Sequence, residues 1–346
     1  MREKTAVIGA GSWGTALSKL LAEKGHEVTL WAHEPEVAEG INRSHANPLF
    51  LPDIPLPGAI RATSDLKEAL SGRSLVVSVV PSHALRAAWE GAAAHLDGKA
   101  LLVSCTKGIE QKGLKLMSQV LTECLPGHPS ALRTVLSGPS FAREVAAGQP
   151  TSVVIAGTDQ ASCRRVQELF RTDGFLTFTS ADPVGVEVGG AVKNVIAVAS
   201  GITDGMKLGF NARASLITRG LYEMIKIGRA LGADPLTFAG LSGIGDLVLT
   251  CTEGLSRNHR VGKKLGEGEP LEAIEREMKA AHMVAEGIPT AKAVRDLGAA
   301  HRLNIPICDC VYRILFEGLS PADAIKELCS LTLKDEMGAL QGVRKS

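Results

Sequence analysis

A lysine and an asparagine inside an apolar, glycine-rich helix are costly unless they are used. The stretch Gly185-Val186-Glu187-Val188-Gly189-Gly190-Ala191-Val192-Lys193-Asn194 carries both. Apolar neighbours partly desolvate Lys193, and a desolvated lysine is a tunable acid or base. The structural alternative is a lysine that snorkels from a helix edge. A second pointer is Gly9-Ala10-Gly11-Ser12-Trp13-Gly14, which fits G-x-G-x-x-G. That pattern gains force from its flanks: Thr5-Ala6-Val7-Ile8 reads as a strand and Trp13–Lys24 as the helix that follows. Gly9 allows the tight turn, Gly11 lets a pyrophosphate approach the backbone, and Gly14 lets helix and strand pack closely. The helix start then offers free amides and partial positive charge to phosphates. A dinucleotide beside a tunable lysine points to hydride transfer, which needs a proton donor for the developing alkoxide and a clamp for the rest of the substrate.

Other residues suit that clamp. Lys107 lies in Ser104-Cys105-Thr106-Lys107-Gly108, just after a strand, and Gly138-Pro139-Ser140 also follows one. Ligands bind at the carboxyl ends of strands in parallel sheets. Ser104 and Lys107 also match S-x-x-K, but the partner S-D-N and K-T-G motifs of that enzyme class are missing. Further on, Asp246 in Ser242-Gly243-Ile244-Gly245-Asp246-Leu247 can accept from substrate hydroxyls. Arg257 in Ser256-Arg257-Asn258 suits a phosphate, being planar and always charged. Taken singly these are loop residues or caps, and Ser256 reads equally as the N-cap of the next helix. The second strand, Glu27–Trp31, ends where an NAD-specific protein usually carries an acid for the ribose hydroxyls. Ala32 and His33 stand there, and Glu34 comes late. The missing acid removes repulsion against a 2′-phosphate and His33 can donate to it, so NADPH is expected as the preferred cofactor, with NADH also accepted. His33 as a plain surface residue is the alternative.

These residues need elements to hold them. Strands are predicted over Thr5–Gly9, Glu27–Trp31, Leu75–Val80, Ala100–Ser104, Thr134–Gly138, Ser152–Ala156 and Phe175–Thr179, alternating with helices such as Trp13–Lys24, Ser82–His95, Leu114–Cys124 and Gln160–Arg171. That alternation, with near-continuous apolar strands such as Leu75–Val80, predicts an α/β, doubly wound, mostly parallel sheet of Rossmann type. Four prolines between His45 and Pro57 make that stretch a loop, long enough to serve as a functional cover. After Asp182-Pro183 strand signals vanish. Helical periodicity continues over Gly185–Gly201, Arg213–Leu231, Leu271–Met278, Thr290–Leu303 and Ser320–Leu328. The expected division is a dinucleotide-binding domain at 1–182 and an all-helical substrate domain at 183–346.

The 346 residues suit two domains. With 45% hydrophobic and 22% charged residues, a sizeable core is expected. Lysine and arginine number 38 against 37 acids, a balance that argues against a nucleic-acid surface but leaves room for a small basic pocket. Seven scattered cysteines suit reduced thiols in the cytosol better than a disulfide framework. Cys308-Asp309-Cys310 lacks a second ligand pair, so no metal is expected. No uninterrupted apolar run of about 18 residues is visible, so no membrane span is expected, and the N-terminus is read as strand and glycine turn rather than a targeting segment.

Taken together in order, these motifs resemble the bacterial NAD(P)-dependent glycerol-3-phosphate dehydrogenases. The resemblance runs through Gly9–Ala16, Leu136-Ser137-Gly138-Pro139-Ser140, Gly189–Asn194, Leu216-Ile217-Thr218-Arg219-Gly220, Gly243–Leu247, Cys251-Thr252, Ser256-Arg257-Asn258 and Ala285-Glu286-Gly287. It implies a 6-phosphogluconate dehydrogenase-like pairing of domains, and reduction of dihydroxyacetone phosphate to sn-glycerol 3-phosphate by NAD(P)H for phospholipid synthesis. It implies cofactor contacts from Ser12, Trp13, His33, Lys107, Ala142, Arg257, Val284 and Glu286. Substrate contacts would come from Lys107, Gly138, Ser140, Asp246, Ser256, Arg257 and Asn258, with Lys193 as the acid–base. Phe50 stands where family members often carry tyrosine. A homodimer in the cytoplasm fits the resemblance. The residues alone reach a dehydrogenase with a small polar, phosphorylated substrate. They leave open a 3-hydroxyacid dehydrogenase of the 6-phosphogluconate type and a non-catalytic NADP sensor.

Overall fold

The computed structural model describes residues 2–330. The strands are β1 (Lys4–Ile8), β2 (Glu27–Trp31), β3 (Ala46–Asn47), β4 (Leu51–Pro55), β5 (Ile60–Thr63), β6 (Leu75–Ser78), β7 (Leu101–Ser104), β8 (Arg133–Ser137), β9 (Thr151–Gly157) and β10 (Phe175–Ser180). Contacts divide the chain into two compact units. One runs up to Glu110 and resumes over Lys115–Glu187; the other takes Gln111–Leu114 and the chain from Val188 onward.

The first unit is an eight-stranded sheet in the order β10-β9-β8-β7-β6-β1-β2-β5. From β5 through β8 every pairing is parallel, and β9 joins β8 antiparallel. The six strands from β5 to β8 therefore follow the doubly wound 3-2-1-4-5-6 order, whose direction reverses between β1 and β6. Successive residues serve opposite faces. Val7, Val77 and Val103 join a core with the helices Ser12–Glu23, Pro35–Ser44 and Gln160–Phe170. Ala6, Ile8, Val76 and Leu102 join one with Leu66–Leu70, Leu85–Ala92 and Met117–Cys124. Each of the buried valines, isoleucines and leucines contributes about 1.5–3 kcal/mol. In the first helix Ala16, Leu17, Leu20 and Leu21 form the buried stripe. That helix stops at Gly25, whose φ of +94° suits only glycine readily, with His26 N–H bonded back to Leu21 O.

The second unit is helical among the described residues: most of Pro183–Gly205, then Phe210–Ala230, Asp246–Thr252, Arg257–Gly266, Leu271–Ala280, Gly287–Ala300, Pro306–Phe316 and Pro321–Ser330. The helices Pro183–Gly205 and Arg257–Gly266 touch through glycines. A Cβ on Gly201 would stand 2.0 Å from His259 O, and one on Gly262 would stand 1.9 Å from Val198 O. Main chain therefore lies against main chain.

Two expectations change. The proline-rich stretch His45–Pro57 is not a plain loop: β3 and β4 pair antiparallel within it, because its prolines occupy positions that a two-stranded pair can spare. The helix Pro183–Gly205 is also long and apolar enough to cross a membrane, although its glycines and single charges break any continuous apolar run. Its most apolar 18-residue window is wholly buried inside the protein, as befits a core helix. The seven cysteines are free, and all but Cys329 are buried.

Candidate active site

In the first unit the glycine turn lies at the carboxyl end of β1, beside the reversal of strand order. Gly9 donates to Trp31 O at 3.1 Å and Val79 donates to Ile8 O at 2.8 Å. At Gly9, with φ of +120°, a Cβ would press on Val79 at 2.9 Å. At Gly14 a Cβ would overlap Gly9 O at 1.8 Å, so helix and strand pack through it. Gly11 differs: a Cβ there would meet nothing within 4 Å. No side chain caps the helix that Gly11 begins. Open space over an uncapped helix start is what a pyrophosphate requires, so the turn fits a dinucleotide. Trp13 and Ala142 are half-buried against the same core.

The β3–β4 pair buttresses this turn. Buried Asn47 donates from Nδ2 to Ala10 O and to Thr15 Oγ1, both at 2.8 Å, while its Oδ1 accepts from Leu49 and Phe50 N–H. Ser12 Oγ donates to Phe50 O at 2.8 Å. Phe50 thus meets the turn through its carbonyl. His33 is exposed, its ring centroid 6.0 Å from that of Trp31.

Three predicted substrate residues meet at the ends of β7 and β8. Lys107 Nζ donates to Gly138 O at 3.1 Å, and Ser140 Oγ donates to the same oxygen at 2.9 Å. Neighbouring Cys105 is buried, which pushes its thiol well above the usual range and leaves it unreactive.

In the second unit Lys193 is only 6% exposed and does not snorkel. Its Nζ bonds Asp246 Oδ1 at 2.5 Å and Thr250 Oγ1 at 2.8 Å. Asp246 opens its helix just after a wide turn in which Gly245 N–H reaches back to Gly240 O, and the backbone at Gly243 leaves helical geometry. Thr250 is one helical turn beyond Asp246 and also bonds its carbonyl, at 2.6 Å. Cys251, next in sequence, is no rival nucleophile: burial pushes its thiol up to about 12, against the opposing pull of Lys193.

Ser256 caps the helix Arg257–Gly266, its Oγ accepting from His259 N–H at 3.2 Å. Arg257 follows it, its side chain reaching solvent while surrounding protein crowds its guanidinium and lowers its pKa from the ordinary value, with Glu286 pulling the other way. Asn258 points inward, donating to Asn194 Oδ1 and accepting from Gly287 N–H. Val284 and Glu286 are half-buried just before the helix Gly287–Ala300. Sequence reasoning passed over Thr250 and Asn47. The first carries a signal, a hydroxyl four residues after Asp246 and so on the same helix face; the second is one polar residue among prolines.

Comparison with known proteins matches both units. A family model described as the NAD-dependent glycerol-3-phosphate dehydrogenase N-terminus covers residues 4–163, and its C-terminal counterpart covers 182–326. A protein of Citrifermentans bemidjiense named glycerol-3-phosphate dehydrogenase [NAD(P)+] is 49% identical over 97% of this chain and 99% of its own. One of Syntrophotalea carbinolica with the same name is 50% identical over 96% and 98%. The solved glycerol-3-phosphate dehydrogenase of Coxiella burnetii aligns with a TM-score of 0.90 at 39% identity, over 95% of this chain and 99% of that one. A D-mandelate dehydrogenase, at 13% identity and a TM-score of 0.60, shares the fold alone. A glycine turn built for a dinucleotide, a buried lysine–aspartate pair and family models matched to each unit lead to one assignment: the chain belongs to the NAD-dependent glycerol-3-phosphate dehydrogenase family.

Proposed function

We propose that this chain reduces dihydroxyacetone phosphate to sn-glycerol 3-phosphate with NADPH or NADH, reversibly, and so supplies glycerophospholipid synthesis. The observation that carries the reading is the buried cluster of Lys193, Asp246 and Thr250 in a chain of this family. In reduction the Lys193 ammonium gives a proton to the oxygen that becomes the alcohol; in oxidation the amine takes one back. Asp246 and Thr250 hold Nζ in place, so little reorganisation is needed when charge develops. The nicotinamide, when bound, supplies or accepts the hydride.

Gly9, Gly11, Ser12, Trp13 and Gly14 serve the pyrophosphate, a role supported by the open space at Gly11. His33 serves the 2′-phosphate, and NADPH is the preferred cofactor because no acid stands at the end of β2. Lys107, Ala142, Arg257, Val284 and Glu286 complete the cofactor contacts. Lys107, Gly138, Ser140, Asp246, Ser256 and Arg257 hold the substrate, with Arg257 and Lys107 matched to its phosphate. A cytosolic homodimer is supported by the free thiols and by apolar side chains left in water, Phe210 at 80% exposure foremost.

The test is to add dihydroxyacetone phosphate to purified protein with NADPH and then NADH. Oxidation of either supports the assignment. No oxidation, together with turnover of a 3-hydroxy acid, would move the chain to a carboxylate-specific dehydrogenase.

A further inference from the structure

Gly11 makes the cofactor turn pliable as well as open. A glycine accepts φ of either sign, so nothing in Gly11 itself fixes the plane of the peptide that joins it to Ala10. That plane matters. The peptide is trans, so its C=O and its N–H point to opposite sides. Whatever grips Ala10 O therefore aims the Gly11 N–H. Asn47, fully buried in the β3–β4 pair, supplies the grip. Its Nδ2 donates to Ala10 O and to Thr15 Oγ1, both at 2.8 Å. The Thr15 hydroxyl donates in turn to Ala10 O, at a longer 3.3 Å. Asn47 Oδ1 accepts from Leu49 N–H at 3.2 Å and from Phe50 N–H at 3.0 Å. The amide has one orientation, because Ala10 O can only accept and the two N–H groups can only donate. All four of its hydrogen-bonding positions are used inside the first unit.

We infer that Asn47 is a positioning residue for the dinucleotide: it locks the Ala10–Gly11 peptide so that the Gly11 N–H is turned away from the hairpin and offered to the pyrophosphate. The inference rests on the cofactor reading above and adds to it a residue from outside the glycine turn. Without the amide, only the long Thr15 bond would hold Ala10 O. Rotation of the peptide would relieve that buried carbonyl by turning it toward water, and would carry the Gly11 N–H inward. A pyrophosphate would then meet a carbonyl oxygen in place of a donor.

The experiment compares wild type, Asn47→Ala and Asn47→Asp in binding titrations of NADPH, NADH, ADP-ribose and adenosine 2′-monophosphate. The first three ligands carry a pyrophosphate and the last does not. Asn47→Ala is expected to weaken those three alike, by about tenfold or more, as befits one lost hydrogen bond to a charged group. Adenosine 2′-monophosphate should change by less than about twofold. Unchanged affinity for the three, or an equal loss for all four, would overturn the inference.

Asn47→Asp gives an independent reading, and decides the matter should the alanine variant not fold. The aspartate has the same shape and still accepts from Leu49 and Phe50. At about pH 8, where a carboxyl is ionised, no N–H remains and a carboxylate oxygen faces Ala10 O. Labelling alanine carbonyls with carbon-13 and glycine nitrogens with nitrogen-15 selects Ala–Gly peptides, among them Ala10–Gly11, Ala147–Gly148 and Ala156–Gly157 of the first unit. The residual dipolar coupling of each amide reads the direction of its N–H with no ligand present. In Asn47→Asp the Gly11 coupling should change while those of Gly148 and Gly157 hold. An unchanged Gly11 coupling would confine Asn47 to the hairpin and overturn the inference. Failure of the wild type to bind any dinucleotide would strike the cofactor reading instead, and the couplings would still judge the lock on the peptide.

Discussion

Lys193 Nζ is held between the Asp246 carboxylate and the Thr250 hydroxyl, buried from water. On the proposed reading, removing the amine takes away the proton source for the alkoxide together with the Lys193 contact to Asp246. Lys193→Ala should lower kcat by about 10²–10⁴-fold while NADPH affinity, read by fluorescence titration, stays within about twofold. Turnover at the wild-type level would take Lys193 out of the reaction. His33→Asp should move the ratio of kcat/KM for NADH over NADPH upward by about tenfold, since an acid at the end of the second strand accepts from ribose hydroxyls and repels a 2′-phosphate. An unchanged ratio would mean that His33 does not face that group. The residues legible in the sequence were those whose chemistry is unusual for their surroundings: Lys193 in an apolar helix, Asp246 among glycines, Arg257 after a cap. Ala142 and Val284 have no chemistry of their own to notice and enter through the family resemblance alone. Asn47 was illegible for another reason: its partners, Ala10 and Thr15, lie far back in the chain.

At the scale of the element, the glycine turn separates stability from binding. Gly14→Ala drives a methyl into Gly9 O and should cost about 1–3 kcal/mol in thermal or urea unfolding, besides weakening NADPH. Gly11→Ala meets only open space and keeps an allowed backbone, so unfolding should shift by less than about 1 kcal/mol while NADPH affinity falls sharply. Equal effects of the two on stability would refute the division. The strands that support this turn were legible because both faces of the sheet are covered, which makes Leu75–Ser78 and its neighbours uniformly apolar. β5 was not, since Ile60-Arg61-Ala62-Thr63 is short, carries a charge and lies at the sheet edge. β3 and β4 were hidden by prolines. The helix Pro306–Phe316 starts with a proline and carries Cys308-Asp309-Cys310 in its first turns; burial raises both thiols, and Glu223 caps its first amides.

For the whole molecule, two buried glutamates contribute to how stability responds to pH. Glu187 accepts from Ser118 N–H at 2.8 Å and from its hydroxyl; Glu223 accepts from Ile307 and Cys308 N–H at 2.8 and 2.9 Å. Burial raises each carboxyl to about 7 from an ordinary 4.5, despite these bonds. The folded protein therefore keeps protons that the unfolded chain has released. The contribution of each group is full below pH 4.5 and is lost as pH rises through about 7, at a cost of about 3 kcal/mol apiece. Glu187→Gln retains both contacts with Ser118, the hydroxyl turning to accept. Its fall in unfolding free energy between about pH 5 and pH 8 should be about 3 kcal/mol smaller than that of the wild type, and identical slopes would reject the role. The glycine contact between the Lys193 helix and the Ser256 helix has a different kind of consequence. Where Gly201 and Gly262 meet carbonyl oxygens, the gap between the two helices is set by the radii of main-chain atoms, which no substitution alters. Side chains elsewhere around these helices can change in size without changing the spacing between the Lys193 helix and the Ser256 helix.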